Sequence, residues 1–229
     1  MKLALKLMTV LGAFAFAAPA SASWTGCYVG GHAGMAMVNT TTGLENLKAT
    51  KGNPAGTVLE TEGLGATGTA FGVGVGCDYQ MARMVFGAFA DMDWYDADWS
   101  LTSPTTGFIS AGFGIDKAWT VGGRVGVLLS NSTLAYGLIG WSQLDMTPAT
   151  LTVGLLTASA PLGSTDGMVV GGGIETEIIK SVRLKLEYRY AMYDDIKVPV
   201  NAATQLSFEP EVHTVRLGIS YLFNLGGSD

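Results

Sequence analysis

Phe71-Gly72-Val73-Gly74-Val75-Gly76-Cys77-Asp78-Tyr79 decides the fold. One parity of this stretch, Phe71, Val73, Val75, Cys77 and Tyr79, is apolar and ends in an aromatic. The other, Gly72, Gly74, Gly76 and Asp78, is tiny and ends in a carboxylate. A helix would scatter each set around its axis, whereas a strand sends alternate residues to opposite faces. The stretch therefore reads as a β-strand with one greasy face and one cramped face.

The same parity recurs along the chain. Val215, Leu217, Ile219, Tyr221 and Phe223 alternate with Thr214, Arg216, Gly218 and Ser220. Leu184, Leu186, Tyr188 and Tyr190 oppose Lys185, Glu187 and Arg189. Val121, Val125 and Val127 oppose Thr120, Arg124 and Gly126. Glu175 shares a face with Gly171 and Gly173, and Asp91 and Asp93 oppose Ala88, Ala90, Met92 and Trp94. The strand-interior charges Asp91, Arg124, Glu175, Lys185, Glu187, Arg189 and Arg216 thus all fall on the face away from the apolar residues. Lys or Arg facing lipid at mid-membrane costs about 2–4 kcal/mol. On the inside of a cylinder these charges can compensate one another, so the pattern predicts a packed lumen of paired ions. A soluble barrel would invert the two faces, and charge position by itself does not separate the two cases.

Spacing, export and aromatics separate them. Eight alternating runs lie between Trp24 and Phe223. Three of the intervals are tight, around Gln80–Arg83, Ser130–Thr133 and Ile179–Ser181. Four are long and polar, around Asn39–Ala66, Asp96–Lys117, Met146–Thr165 and Asp195–Glu211. Short turns at one end and long loops at the other are the habit of outer-membrane barrels. The N-terminus has Lys2 and Lys6, an apolar Leu7–Ala18 and the small-residue site Ala20-Ser21-Ala22. These features predict a cleaved export signal over residues 1–22 and a single barrel domain over 23–229. The nearest cysteine is Cys27, so no lipid anchor is expected at the cleavage point. Aromatics mark both strand ends, with Tyr79, Tyr221 and Phe223 at the short-turn end and Trp94, Trp119 and Tyr190 at the other. Such girdles sit at membrane interfaces.

Composition agrees. Only 14% of residues are charged, against ~25% in an average soluble domain. Mean hydropathy is +0.33, yet beyond the signal no apolar run reaches the ~18 residues of a spanning helix. Alternating strands reconcile the two. Net charge is −6, falling to about −8 without Lys2 and Lys6, which argues against a nucleic-acid partner. Cys27 and Cys77 both fall on the outward parity near the short-turn end. A cross-strand disulfide and two unpaired thiols are both open.

Three segments resemble a known family. Trp24-Thr25-Gly26-Cys27-Tyr28-Val29-Gly30-Gly31 is similar to its opening. Val169-Val170-Gly171-Gly172-Gly173-Ile174-Glu175 with Leu184-Lys185-Leu186-Glu187-Tyr188-Arg189-Tyr190 is similar to its central signatures. His213-Thr214-Val215-Arg216-Leu217-Gly218 with Tyr221-Leu222-Phe223 is similar to its closing strand. The family is that of the alphaproteobacterial OmpA-like eight-stranded outer-membrane barrels, the porin-family surface antigens. The resemblance implies an all-β, eight-stranded antiparallel transmembrane barrel with long extracellular loops and short periplasmic turns. It implies outer-membrane lipid, lipopolysaccharide and the barrel-insertion machinery as partners. The chain departs from the family in its tail Asn224–Asp229 after Phe223 and in Cys27, which stands where the family has an aromatic.

Other chemistry is poorly supported. Gly63-Leu64-Gly65-Ala66-Thr67-Gly68 matches a dinucleotide fingerprint but opens no helix. A lipid A hydrolase needs a nucleophile beside its base, and the residue two after His213 is Val215. His32 and His213 are the two candidates for iron, at different heights on neighbouring strands. An eight-stranded lumen is filled by side chains, which disfavours a wide pore. The expectation is a structural protein without enzymatic activity, cofactor or metal. Loop-mediated binding of haem or a host surface is the alternative; a lipid A-modifying enzyme or a small pore ranks below both.

Overall fold

The computed structural model describes residues 24–46, 58–102, 109–153, 156–160, 163–201 and 204–223. The expected export signal over residues 1–22 and the tail after Phe223 lie outside them. The strands are β1 (Gly26–Asn46), β2 (Val58–Met81), β3 (Met84–Thr102), β4 (Ile109–Ser130), β5 (Thr133–Met146), β6 (Ala149–Val153), β7 (Leu156–Ala160), β8 (Ser164–Ile179), β9 (Val182–Tyr193), β10 (Ile196–Asn201) and β11 (Thr204–Phe223). Eight of them are the staves of a closed antiparallel barrel: β1, β2, β3, β4, β5, β8, β9 and β11. Closure is made by β1, which pairs with β2 on one side and with β11 on the other, from Cys27 opposite Phe223 to Asn46 opposite Thr204.

The greasy parity faces out. Phe71, Val73, Val75, Tyr79, Val121, Val125, Ile139, Leu186, Val215, Leu217 and Ile219 are all exposed. In water such a surface would be far larger than a soluble monomer tolerates; against hydrocarbon it is the required one. The apolar band begins close to the tight turns at Ala82–Arg83, Asn131–Ser132 and Lys180–Ser181. Ala82 (φ 55°) and Ser181 (φ 67°) take the left-handed conformation that these reversals need. The band ends at an aromatic girdle: Phe71 stacks on Trp94, Trp119 meets Trp141 edge-on, and Tyr190 stacks on His213. Just beyond it the same parity turns polar. Trp119 donates to Gln143 (2.8 Å), Gln143 to Asp166 (3.1 Å) and Tyr190 to Glu211 (2.7 Å).

The four segments read as long loops are largely strand. Asn39–Asn46, Val58–Ala66, Asp96–Thr102 and Ile109–Lys117 prolong β1 to β4 past the girdle, and β6, β7 and β10 lie within the other two segments. The correction has a physical cause. Outside the membrane neither face needs to be greasy, so the backbone ladder continues without the alternation that reveals it in sequence. Gly63–Gly68 accordingly lies inside β2.

The interior is filled in layers. At the turn end Trp24, Val85, Leu128, Leu134 and Leu222 form an apolar floor. Trp24 is held by its backbone N–H donating to Gln80 (2.9 Å) and its indole N–H to the Asn131 carbonyl (3.3 Å). Beyond the charged middle, Ala36, Val38, Ala70, Ala118, Leu144, Val169 and Val212 close the other end as a largely apolar core. Cys27 and Cys77 are opposed in the β1–β2 register and joined as a disulfide on the outward face.

Candidate functional site: the charged lumen

Two layers of ions occupy the middle of the barrel. In the layer nearer the floor, Arg124 on β4 donates from Nε to Asp78 on β2 (2.9 Å) and from Nη1 to Glu175 on β8 (2.8 Å). Arg183 on β9 lies over the Trp24 ring, 3.9 Å from its centroid, and within 3.8 Å of the same two carboxylates. Tyr28 and Tyr136 close on the Arg124 guanidinium from either side, at 4.7 and 5.0 Å. These rings are cation–π partners of the guanidinium.

The second layer centres on Arg216 of β11. Its Nε donates to Glu187 on β9 (2.7 Å), its Nη1 to Asp93 on β3 (2.8 Å) and its Nη2 to Asp91 (3.2 Å). Arg189 on β9 bridges Glu187 (2.8 Å) and Asp91. Tyr136 donates to the other oxygen of Glu187 (2.6 Å). His32 on β1 places Nε2 2.5 Å from Asp93 Oδ1, the oxygen that Arg216 also engages. Lys185 shares this face and, with His32, Asp91 and Tyr28, lines a cavity of about 10 Å³, room for a single water.

The opening stretch of the sequence explains why the layers fit. A Cβ on Gly72 would strike His32 and Asp93, one on Gly74 would strike Asp91, and one on Gly76 would strike the Tyr28 phenol. The tiny face of β2 is the volume into which the flanking strands β1 and β3 project Tyr28, His32, Asp91 and Asp93.

Of the residues singled out in sequence, Asp91, Arg124, Glu175, Glu187, Arg189 and Arg216 are brought into these two layers, with Lys185 beside them. Asp78, Asp93 and Arg183 belong to the layers as well, though sequence reasoning did not include them. Asp78 and Asp93 share the inward parity, which was signal enough. Arg183 sits one residue from a turn, where a charge reads as solvated. Each guanidinium lies within 3.8 Å of at least two acids, so removing one partner would leave a buried charge under-compensated. The two histidines do not converge. His32 pairs with Gly218 in the β1–β11 register, five positions from His213, and points inward. His213 faces out, where the Tyr188 hydroxyl meets its Nδ1 (2.8 Å). Among the described residues no cluster of His, Cys, Asp and Glu is arranged to hold a metal ion.

A closed eight-stranded barrel, greasy outside and ionic within, is a transmembrane β-barrel. The family described as outer membrane protein beta-barrel domain matches residues 7–223, and the chain belongs to it. It is therefore an outer-membrane barrel of a bacterial cell. No curated protein matches the sequence. Solved structures with a similar fold include the attachment invasion locus protein Ail of Yersinia pestis (14% identity, 84% of this chain and 99% of that one, TM-score 0.39). Neisserial surface protein A (14%, 87% and 98%, 0.43) and OprG of Pseudomonas aeruginosa (11%, 87% and 97%, 0.44) are two others.

Proposed function

We propose that the protein is a structural barrel of the OmpA-like, porin-family surface-antigen kind, supporting envelope integrity and turning over no substrate. The observation that carries this reading is the filled lumen. An apolar floor, two ion layers and an apolar cap succeed one another along the axis. Conduction would require moving several mutually paired arginines at once. His32 is engaged by Asp93, and His213 has a phenol rather than an aliphatic hydroxyl as its neighbour, so neither is set up as the base of a lipid A hydrolase. On this reading the outward band takes outer-membrane lipid and lipopolysaccharide, and the β11 strand ending in Phe223 is presented to the barrel-insertion machinery.

The test is deletion in the native host. Loss of the protein should raise sensitivity to detergents, with restoration by wild type. Purified barrel should leave lipid A mass unchanged and add no steady conductance to a planar bilayer. Unaltered detergent resistance, a lipid A mass shift or a stable open channel would each overturn the proposal.

Loop-mediated binding is the second reading, and one observation favours it. The β1–β11 ladder runs from Val38 opposite Val212 up to Asn46 opposite Thr204, well past the girdle. A stiff stalk of this kind holds its outer segments clear of the lipid headgroups. Exchange of residues 98–114 or 196–208, which leaves the buried Ala97, Ile115 and Pro210 in place, should then abolish capture of haem or a host surface while leaving the barrel folded.

A further inference from the structure

The outer end of the barrel divides into two flaps with free edges. β2 and β3 are paired only up to Thr69 opposite Asp96. Above that level one sheet runs β10–β11–β1–β2 and the other β3–β4–β6–β7. Among the described residues β7 pairs with β6 and with nothing else, so within them its second edge has no ladder partner for its backbone N–H and C=O groups.

Proteins ordinarily guard such an edge with Lys, Pro or a bulge. The edge strand β10 of the other flap has all three: Lys197, Pro199 and a register shift after Pro199. β7 is Leu156-Thr157-Ala158-Ser159-Ala160 and has none. No charged residue occurs from Thr147 to Gly163 in a chain of net charge −6. Leu156 is 80% exposed, and Thr157 and Ser159 are exposed beside it.

We propose that β7 pairs edge to edge with β7 of a second copy of this chain on a facing membrane, making the barrel a homotypic cell-to-cell contact. Charge and symmetry select this occupant. Acidic copies repel over most of their surface, and this neutral hairpin is where they can approach. Barrel strands tilt roughly 35–45° from the membrane normal, and β7 follows β4 through β6. A two-fold axis along the normal would cross two such strands at about twice that angle, so neighbours in one membrane cannot form a ladder. An axis in the membrane plane, perpendicular to the strand, makes them antiparallel and places the copies on opposed membranes. Leu156 then faces Ala160, and Thr157 faces Ser159. Five residues of ladder are weak alone, but many contacts between two membranes add by avidity.

The test uses purified full-length protein in phosphatidylcholine vesicles, with clustering followed by turbidity. Leu156 closes the hairpin against Val153, so alternation gives Thr157 and Ser159 the backbone groups that face the free edge. Ser159→Pro removes one of those donors and leaves the β6 ladder intact; Ser159→Lys restores a guard. Wild-type vesicles should cluster, and added salt should strengthen the effect by screening acidic repulsion. Both variants should lower clustering at least about tenfold while retaining the heat-modifiable gel shift of a folded barrel. Failure of wild type to cluster, clustering unchanged in both folded variants, or capture of an unrelated extended peptide in place of a second copy would overturn the proposal. In an equimolar mixture of differently labelled vesicles, wild type should cluster with wild type and leave Ser159→Lys vesicles dispersed, since the contact needs both partners; recruitment of the variant into the clusters would overturn the proposal.

Discussion

Arg216 and Asp93, 123 residues apart in the chain, meet across the lumen with Nη1 2.8 Å from Oδ1. The contact joins the last stave to the third and passes His32 of the first on the way. Neither group has water to fall back on: both are buried, and Arg216 also serves Glu187 and Asp91. The pairing is thus a condition for closing the barrel as well as a consequence of it.

Replacing Arg216 by Met should leave Asp91, Asp93 and Glu187 under-compensated and lower stability by about 3–5 kcal/mol. Urea unfolding of the refolded barrel in lipid vesicles measures it. Adding Glu187→Gln to Arg216→Met should recover part of the loss, because one stranded carboxylate is removed. A strictly additive double variant would show that the two residues do not act together.

The outward face should be sensitive by depth. Val73→Arg places a cation in the lipid band and should cost about 2–4 kcal/mol. Thr67→Arg lies on the same face of the same strand, two outward positions beyond Phe71, and should cost under about 1 kcal/mol. The comparison uses the same unfolding assay.

Closure between first and last strands depends on Gly34. A Cβ there would overlap the Val215 carbonyl and lie 2.7 Å from the Arg216 Cα, both backbone atoms that cannot step aside. Gly34→Val should abolish the compact, fast-migrating form on unheated gels. Gly31→Ala in the same strand points outward, with its nearest neighbour 3.7 Å away, and should fold normally.

The Cys27–Cys77 bond ties β1 to β2 across 50 residues of chain. Its removal in Cys77→Ser should reduce stability by about 2–4 kcal/mol and slow migration on a non-reducing gel of the denatured protein. Equal mobility of wild type and variant would show that no bond forms.

These expectations draw on features that the sequence displays unevenly. Period-two alternation at Phe71–Tyr79 and Val215–Phe223 gave strand, face and membrane band together, because lipid enforces one parity and crowding the other. Asp91, Arg124, Glu187 and Arg216 were legible as inward for the same reason. Their partners were not, since register is set by backbone pairing around the whole cylinder and no local pattern encodes which acid lies opposite which arginine. Asp78 was visible at the end of an inward row but looked terminal; the structure places it under Arg124. The outer halves of β1 to β4 were hidden because solvent accepts Thr, Gly and Glu on either face.

The most direct test of the account is collision accessibility of nitroxide labels in lipid vesicles. Labels at Val73, Val121, Ile139 and Leu217 should collide with dissolved oxygen and be shielded from a water-soluble nickel chelate, and labels at Thr67 and Thr69 should show the reverse. Nickel reaching Val73 as readily as Thr67 would mean a wet outer wall, and the assignment of lipid outside and ions inside would be wrong.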